Sequence, residues 1–317
     1  MSESITSIEG REVKLTNLQK VLWPEDKLTK AHLIRYYHEI APVLLPHIRN
    51  RLLVMKRYPD GIHGEAFYQK ECPAYAPDWV ETYAVSHSRK VINYIVCNDA
   101  ATLVWLANQG CIEMHCWTSR LGTVDHPDLA VIDLDPSDGV LFEVVLKVAR
   151  LFRRVLEEFG LAGYPKTSGA SGLHIFIPIL PVYNYHLITA AIKFLAELVV
   201  QSYPEVTTVE RSVDKRKGKV YLDFLQNGRG KTMAFQYSLR PVPGAPVSAP
   251  LNWSEVEEGV DPREHNLKTI FNRLKKYGDL YAGLIHPGQS LKNLLDLVPI
   301  ESEVSNGTQA AMSPISP

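Results

Sequence analysis

Two aspartates stand two positions apart at the end of an apolar run, in the segment AVIDLDPSDGV. Side chains two apart on a β-strand point to the same face, so Asp133 and Asp135 are predicted to converge. Carboxylates on a buried strand are unfavourable unless a cation neutralises them, and Mg²⁺ or Mn²⁺ is the usual partner. The alternative is a turn with a helix N-cap, which explains Asp135 but not Asp133, since Asp133 lies inside the apolar run.

A third aspartate lies in a similar setting, in the segment KVYLDF. Strand alternation puts Val220, Leu222 and Phe224 on one face. Asp223 then shares the other face with Tyr221. Three aspartates on adjacent strands could hold two cations about 3.5–4 Å apart, an arrangement suited to in-line displacement at phosphorus. The predicted chemistry is therefore phosphoryl transfer.

A glycine- and serine-rich loop precedes another predicted strand, in KTSGASGLHIFIP. The backbone N–H groups of the loop from Thr167 to Gly172 could face an anion. His174 shares a strand face with Phe176 and could reach a phosphate or a metal at the loop. The alternative is an ordinary flexible connection with a satisfied histidine.

The chain has a net charge of −1 and a pI near 6.8, so any nucleic-acid-binding surface must be local. From Arg211 to Arg240 there are eight basic and two acidic residues, a local net charge of +6. The segments DKRKGK and NGRGK are predicted to form basic loops that grip a phosphate backbone, although a solvated hairpin tip is an alternative. Phe67 and Tyr68, near basic residues, could stack on bases or belong to the core.

The elements that position these residues indicate a mixed α/β (α+β) fold. Thr29 precedes an apolar helical pattern that includes Leu33, Tyr37 and Leu44, and Asn98 or Asp99 could cap a second helix. We expect one compact unit over residues 1–300, with a smaller N-terminal lobe at about 10–60 packed on the catalytic core. By composition, residues 301–317 form a disordered tail. Four scattered cysteines and the lack of a long apolar segment favour a cytoplasmic protein without a membrane span.

Eight segments occur in this order along the chain: LTNLQKVLWP, MKRYP, AFYQK, MHCW, IDLDP, TSGASGLHI, KVYLDFLQN and YSLRP. Together they closely resemble the polymerase domain of bacterial DNA ligase D, a branch of the archaeo-eukaryotic primase superfamily. The resemblance extends from about Val13 to Leu280. It implies a primase-like core with a mixed sheet flanked by helices. It also implies a template-dependent polymerase for gap filling and end extension in non-homologous end joining, with a preference for ribonucleotides and Mn²⁺.

The resemblance implies roles for individual residues. Asp133, Asp135 and Asp223 would be the catalytic metal ligands, with Asp223 nearest the primer hydroxyl. The incoming nucleotide would be held by Lys56, His115, Ser168, His174 and Arg240. The DNA would be contacted by Lys20 and Lys30 at the 5′-phosphate of a gap, by Phe67 and Tyr68 on the template, and by Arg216 in a loop implicated in synapsis.

The sequence departs from the family pattern in two respects. Many relatives carry lysine where this chain has Ser171, so Lys166 or Lys231 would have to supply that phosphate contact. An ATP-dependent ligase domain is also not expected, because KRYPDG does not have the K-x-D-G spacing and the chain leaves no room for one. The expected partners are therefore the end-binding protein Ku and a separate ligase, besides gapped or broken DNA and nucleoside triphosphates.

Two other functions use the same residues. A metal-dependent nuclease or phosphodiesterase would use the three carboxylates to activate water instead of a 3′-hydroxyl. A catalytically inactive DNA-end-binding module would contain the aspartates only as structural residues. A labelled primer on a template separates the three hypotheses. The polymerase would lengthen it, the nuclease would shorten it, and the inactive module would leave it unchanged.

Overall fold

The computed structural model describes residues 3–285 and 287–299, and within them the strands form two main sheets and two small hairpins. The predicted tail at 301–317 lies outside the described residues. The strands are β1 (Glu3–Ile8), β2 (Arg11–Thr16), β3 (Val21–Trp23), β4 (Leu28–Thr29), β5 (Leu52–Arg57), β6 (Phe67–Gln69), β7 (Thr82–Ser86), β8 (Val91–Val96), β9 (Cys111–Cys116), β10 (Leu129–Pro136), β11 (Tyr164–Thr167), β12 (Leu173–Pro178), β13 (Thr207–Thr208), β14 (Val220–Asp223) and β15 (Met233–Ala234). The helices are α1 (Lys30–Ile48), α2 (Ala100–Asn108), α3 (Phe142–Glu158), α4 (Tyr185–Ser202), α5 (Trp253–Glu258), α6 (Ile270–Tyr277) and α7 (Lys292–Leu295). None of the helices in these ranges is both long and apolar enough to cross a bilayer.

The larger sheet has the order β15-β9-β5-β8-β7, with β6 also paired to β5. The other sheet has the order β11-β12-β10-β14-β13, and its pairs are antiparallel except for β13 with β14. Helices pack on both sheets, so the mixed α/β fold class predicted from the sequence is confirmed.

The two largest hydrophobic clusters of the described residues join helices to these sheets. In the first, Leu33 and Tyr37 of α1 pack with Met114 of β9, so the N-terminal segment shares a core with the larger sheet. In the second, Phe152 of α3 and Leu195 of α4 pack with strands of the smaller sheet. Both clusters consist of buried side chains whose removal from water drives folding. The division into a lobe at 10–60 and a catalytic core remains a prediction.

Local signals set the ends of several elements. Thr29 is the N-cap of α1, and its backbone N–H donates to His32 Nδ1 at 3.1 Å. Asp99 caps α2 by accepting the Thr102 N–H at 2.8 Å. The predicted alternation through Phe224 was wrong at its last residue. Strand β14 ends at Asp223, whose side chain accepts the N–H of the residue two positions later and starts a 3₁₀ turn at Phe224–Asn227.

Candidate active site

Four polar side chains lie in register across four strands of the smaller sheet. Asp133 pairs with Asp223 on one side and with His174 on the other, and His174 pairs with Lys166. Directly paired residues of antiparallel strands point to the same face of a sheet. Asp223, Asp133, His174 and Lys166 therefore form one continuous row, which we call the polar row.

Asp133 is at the centre of the polar row. Its Oδ1 lies 3.3 Å from His174 Nε2. Burial, and then the negative charges of Asp223 and Asp135, raises the pKa of Asp133 to about 7. Asp135 lies two residues further along β10, on the same face of the strand as Asp133. Burial also raises the pKa of Asp135. The three predicted catalytic aspartates are therefore close enough to repel one another.

The other two carboxylates have partners of their own. Asp223 accepts hydrogen bonds from the Tyr221 hydroxyl at 3.2 Å and from the amide of Gln226 at 3.2 Å. Asp135 Oδ2 lies 3.5 Å from Arg216 Nη1, although the Asp135 side chain is 55% exposed. These contacts fix Asp223 near Asp133 and leave Asp135 open to solvent.

The chemistry of the three aspartates fits divalent cations. Hard cations prefer carboxylate oxygens, and positive charge at this point would relieve the repulsion that raises the Asp133 pKa. Among residues 3–285 and 287–299, no group of three His, Cys, Asp or Glu side chains is already arranged to hold a metal ion. Asp135 is instead paired with Arg216 at 3.5 Å.

The far end of the polar row is buried and anchored. Lys166 Nζ lies 2.8 Å from His174 Nδ1, donates to the Ala234 carbonyl at 3.1 Å, and also donates to Ser248. Burial, and then the nearby charge of Arg240, holds the pKa of Lys166 well below its usual range. Because Ala234 belongs to β15, this lysine also joins the smaller sheet to the larger one. Lys231, the other proposed substitute at the Ser171 position, lies in an exposed turn.

The glycine- and serine-rich loop is ordered by Ser168. Its Oγ accepts the N–H groups of Ala170 and Gly172, each at 3.0 Å. These two N–H groups are therefore not available to an anion, and the prediction that N–H groups of the loop face one remains only for the others. A Cβ at Gly172 would clash with the Leu134 carbonyl, and one at Gly169 would come within 2.5 Å of Arg240 Cγ. The loop is thus packed tightly against β10 and Arg240.

A second group of side chains surrounds Glu113, a fully buried residue of β9. Lys56 Nζ lies 2.7 Å from Glu113 Oε2, and Arg240 Nε lies 2.8 Å from Oε1. His115 Nε2 is 3.8 Å from the same Oε1. We call Lys56, Arg240 and His115 the cation cluster. Burial lowers the pKa of His115, so this member is the least readily charged of the three. Sequence analysis predicted its three members but missed Glu113, whose signal is an acid in the otherwise buried strand CIEMHC.

Two members of the cation cluster, Arg240 and His115, lie close enough to the polar row for their charges to act on it. Burial, then the charge of Lys166, and then these two residues lower the pKa of His174. The positive charge of Arg240 also partly offsets the rise in the pKa of Asp133. Neither ring nitrogen of the buried His115 has a hydrogen-bond partner within the described part of the chain. Buried polar atoms of this kind normally have a partner, so His115 has the capacity to bind a ligand here.

Phe67 and Tyr68 are exposed aromatic residues on opposite faces of β6, and the Tyr68 ring lies beside the cation cluster, 5.5 Å from the ring of His115. They belong to β6, and their side chains are 43% and 56% exposed, so they are not core residues. Lys56 Nζ lies 5.3 Å from the centre of the Tyr68 ring, and Arg57 lies 5.4 Å from that of Phe67. Positively charged groups against aromatic faces hold the rings in place and leave the opposite faces free to stack.

Lys20 and Lys30 are neighbours at the start of α1. The Lys30 N–H donates to the Lys20 carbonyl at 2.8 Å. Burial, and then the positive charges of Lys20 and Arg57, lowers the pKa of Lys30 to about 8. Lys20 Nζ is paired with Asp60 at 2.7 Å on the surface. The structure thus brings together two predicted cations and adds Arg57, which sequence analysis did not select.

Arg216 is placed differently from the other basic residues of its loop. Its guanidinium lies 3.7 Å from the centre of the Tyr221 ring and points towards Asp135. Lys215 and Lys217, by contrast, are exposed. The predicted projecting basic loop therefore consists of its lysines, whereas Arg216 contacts the acidic end of the site.

Comparison with known proteins identifies similar chains along most of this sequence. A model of the LigD primase-polymerase domain matches residues 29–281. The bifunctional non-homologous end joining protein LigD of Bacillus subtilis is 37% identical over 269 residues, which is 84% of this chain and 43% of that protein. The multifunctional LigD of Mycolicibacterium smegmatis is 35% identical over 276 residues, 86% of this chain and 36% of that protein. This chain therefore spans less than half the length of these relatives.

A solved structure has a similar fold. The polymerase domain of Mycobacterium tuberculosis ligase D, determined in complex with DNA, superposes with a TM-score of 0.81 at 32% sequence identity. The superposition covers 87% of this chain and 99% of that one. The arrangement of sheets and helices that positions the polar row is thus similar to that of a polymerase domain.

Proposed function

The chain belongs to the LigD primase-polymerase domain family, and from this premise we propose that it is a template-dependent polymerase of the nucleotidyltransferase class. The observation that carries the proposal is the polar row with Arg240 of the cation cluster close to Asp133 and His174. Carboxylates with a cationic group beside them suit a triphosphate whose α-phosphorus is attacked by a primer 3′-hydroxyl.

The residues of the cation cluster would bind the triphosphate. Lys56 and Arg240 provide positive charge at the rim of the site, and His115 offers ring nitrogens without other partners among the described residues. His174 faces Asp133 through Nε2, so it can contact a phosphate lying over the aspartates. Ser168 holds the loop against Arg240 and keeps that side of the site narrow. These groups position the triphosphate and offset the charge that develops during transfer.

Asp133, Asp135 and Asp223 would hold the divalent cations, Mn²⁺ or Mg²⁺. When bound, two such cations lower the charge of the triphosphate and activate the attacking hydroxyl. Asp223 is held in place by Tyr221 and Gln226, so it is prepared to orient the primer end. Asp135 is exposed and contacts Arg216, which links the acidic residues to the basic loop.

The DNA would bind on the surfaces beside this centre. The free faces of Phe67 and Tyr68 suit stacking with template bases. Lys20 and Lys30 suit a 5′-phosphate, because these two lysines and Arg57 are close enough for their positive charges to act on one another. Arg216 and its flanking lysines suit a phosphate backbone or a second DNA end.

The finer parts of the proposal follow from the family. The substrates would be gapped or broken DNA carrying a 5′-phosphate, and nucleoside triphosphates with ribonucleotides preferred. The process would be gap filling and end extension in non-homologous end joining. Ku and an ATP-dependent DNA ligase activity would be the partners, and the site of action would be the cytoplasm.

The test is extension of a labelled primer on gapped, 5′-phosphorylated DNA, with NTP or dNTP and with Mn²⁺ or Mg²⁺. We expect lengthening that is greatest with NTP and Mn²⁺. Asp133→Ala and Asp223→Ala should abolish lengthening while DNA binding survives, because the phosphate contacts come from other residues. Shortening of the primer would instead support a nuclease. Unchanged extension and metal binding in Asp133→Ala would show that this aspartate is structural.

A further inference from the structure

Glu113 is a buried carboxylate to which the proposed function assigns no role. It lies in the middle of β9, where all six residues are buried, and its side chain is 0% exposed. Strand β9 has neighbours on both sides, β5 and β15. Burying a carboxylate is unfavourable unless opposite charges and hydrogen bonds compensate it. The compensating groups should therefore show what this residue does.

The compensation comes from the groups that face the site. Lys56 pairs with Glu113 in strand register and reaches Oε2 at 2.7 Å, where the Tyr58 hydroxyl also donates at 2.7 Å. Arg240 reaches Oε1 at 2.8 Å from the segment after β15. Burial opposes ionisation, but His115, Arg240 and Lys56 together hold the pKa of Glu113 well below its usual range. The carboxylate is thus ionised and lies between the two cations.

The side chains of Lys56 and Arg240 contact Glu113 on one side and solvent on the other. Their side chains keep 23% and 20% of their surface exposed, whereas Glu113 beneath them has none. Two like charges held together repel each other, and a negative charge between them offsets that repulsion. Glu113 lies beneath Lys56 and Arg240, and both cations remain partly exposed to solvent. A second anion can therefore bind them from the solvent side.

We propose that Glu113 is a positioning residue of the nucleotide site, which holds Lys56 and Arg240 together so that the incoming triphosphate meets a preformed pair of cations. The proposal rests on the proposed function, because it names the residue that prepares the triphosphate subsite. Glu113 does not contact the substrate. It acts through Lys56 and Arg240 by fixing where their charges lie before the nucleotide arrives.

Glu113→Gln tests the proposal because it removes the charge and keeps the shape. The KM for the nucleotide should rise at least tenfold, while kcat and the affinity for primer–template change by less than about threefold. Glu113→Asp, which keeps the charge, should restore part of the lost affinity. A kcat loss with unchanged KM, or a Gln variant with wild-type KM, would overturn the proposal.

Asp128→Asn is the matched control. Asp128 is also held between two arginines, at 2.6 Å from Arg51 Nη1 and 2.7 Å from Arg120 Nε, but it precedes β10 at the end away from Asp133. If Glu113 were only structural, the two variants would lose thermal stability and activity in parallel. We expect only the Glu113 variants to change the KM. If Glu113→Gln does not fold, Glu113→Asp decides the question: its shorter side chain holds the two cations less well, so its KM should lie above that of wild type with kcat unchanged, and a wild-type KM would overturn the proposal.

Binding of inorganic tripolyphosphate, measured by calorimetry with equal Mg²⁺ in every sample, separates this proposal from the proposed function. Wild type and Asp128→Asn should bind it with similar affinity, and Glu113→Gln at least tenfold more weakly. That result supports the role of Glu113 even if the protein extends no primer. Equal binding by all three proteins, or no binding by wild type, would overturn the role of Glu113 even if extension is normal.

Discussion

Replacing Asp133 by asparagine should stabilise the protein in the absence of metal while abolishing its activity. Asp133 is buried beside Asp223 and Asp135, and its pKa is raised from 3.8 to about 7. A carboxyl group with a raised pKa in the folded state keeps its proton while the unfolded chain loses it. The stability of the wild type is therefore complete below about pH 4 and falls as the pH rises to about 7.

The magnitude follows from the size of the pKa change. Each pKa unit corresponds to about 1.4 kcal/mol, so a shift of roughly three units represents up to about 4 kcal/mol. Asparagine carries no charge, and it avoids this loss above pH 7. Its amide oxygen is a weaker acceptor than a carboxylate for the contact with His174 at 3.3 Å, so we expect a net gain of about 1–3 kcal/mol at pH 8.

The assay is thermal unfolding in EDTA from pH 4.5 to 8.5, followed by addition of Mn²⁺. The variant and wild type should melt together near pH 4.5, and the variant should melt several degrees higher at pH 8. Mn²⁺ should raise the melting temperature of wild type more than that of the variant, because one cation ligand is missing. A variant that melts at or below wild type at pH 8, or a difference that does not change with pH, would refute the reasoning.

Three further predictions concern other parts of the site and its support. Gly172→Ala should weaken nucleotide binding at least tenfold in a KM measurement, because its methyl group would clash with the Leu134 carbonyl; an unchanged KM would show that the loop can move away. Arg51→Leu should destabilise the fold by about 3–5 kcal/mol in urea unfolding, since it leaves the largely buried Asp128 without its bidentate partner, and a loss below about 1 kcal/mol would contradict this. Phe67→Ala should leave the melting temperature unchanged and lower single-stranded template affinity by about 1–3 kcal/mol in a fluorescence titration, and unaltered affinity would exclude stacking there.

The family and much of the site were predictable from the sequence because the relevant signals are local or ordered along the chain. The spacing of Asp133 and Asp135 needs only strand alternation to put both on one face. Thr29 and Asp99 are predictable N-caps, because a capping hydrogen bond involves residues only three positions apart. The order of short motifs carried the family resemblance, and the comparisons confirm it.

Other features could not be predicted because they depend on strand register and on pairs of distant residues. The polar row exists because β10 pairs with β12 and β14 in one particular register, and a shift by one residue would turn Asp133 away from both His174 and Asp223. The Ser168 hydroxyl accepts hydrogen bonds from two loop N–H groups that, from the sequence alone, could have bound an anion. Arg216 lies against Tyr221 instead of projecting with its neighbouring lysines.

The sequence by itself determined which side chains are available for chemistry and on which face of a strand each one lies, because alternation is a property of the backbone. Only the tertiary structure decided which faces meet. It put Glu113 beneath Lys56 and Arg240, which lie 57 and 127 positions away from that acid along the chain. A buried carboxylate is stable only where such partners converge, so its role is set by packing that no local pattern contains.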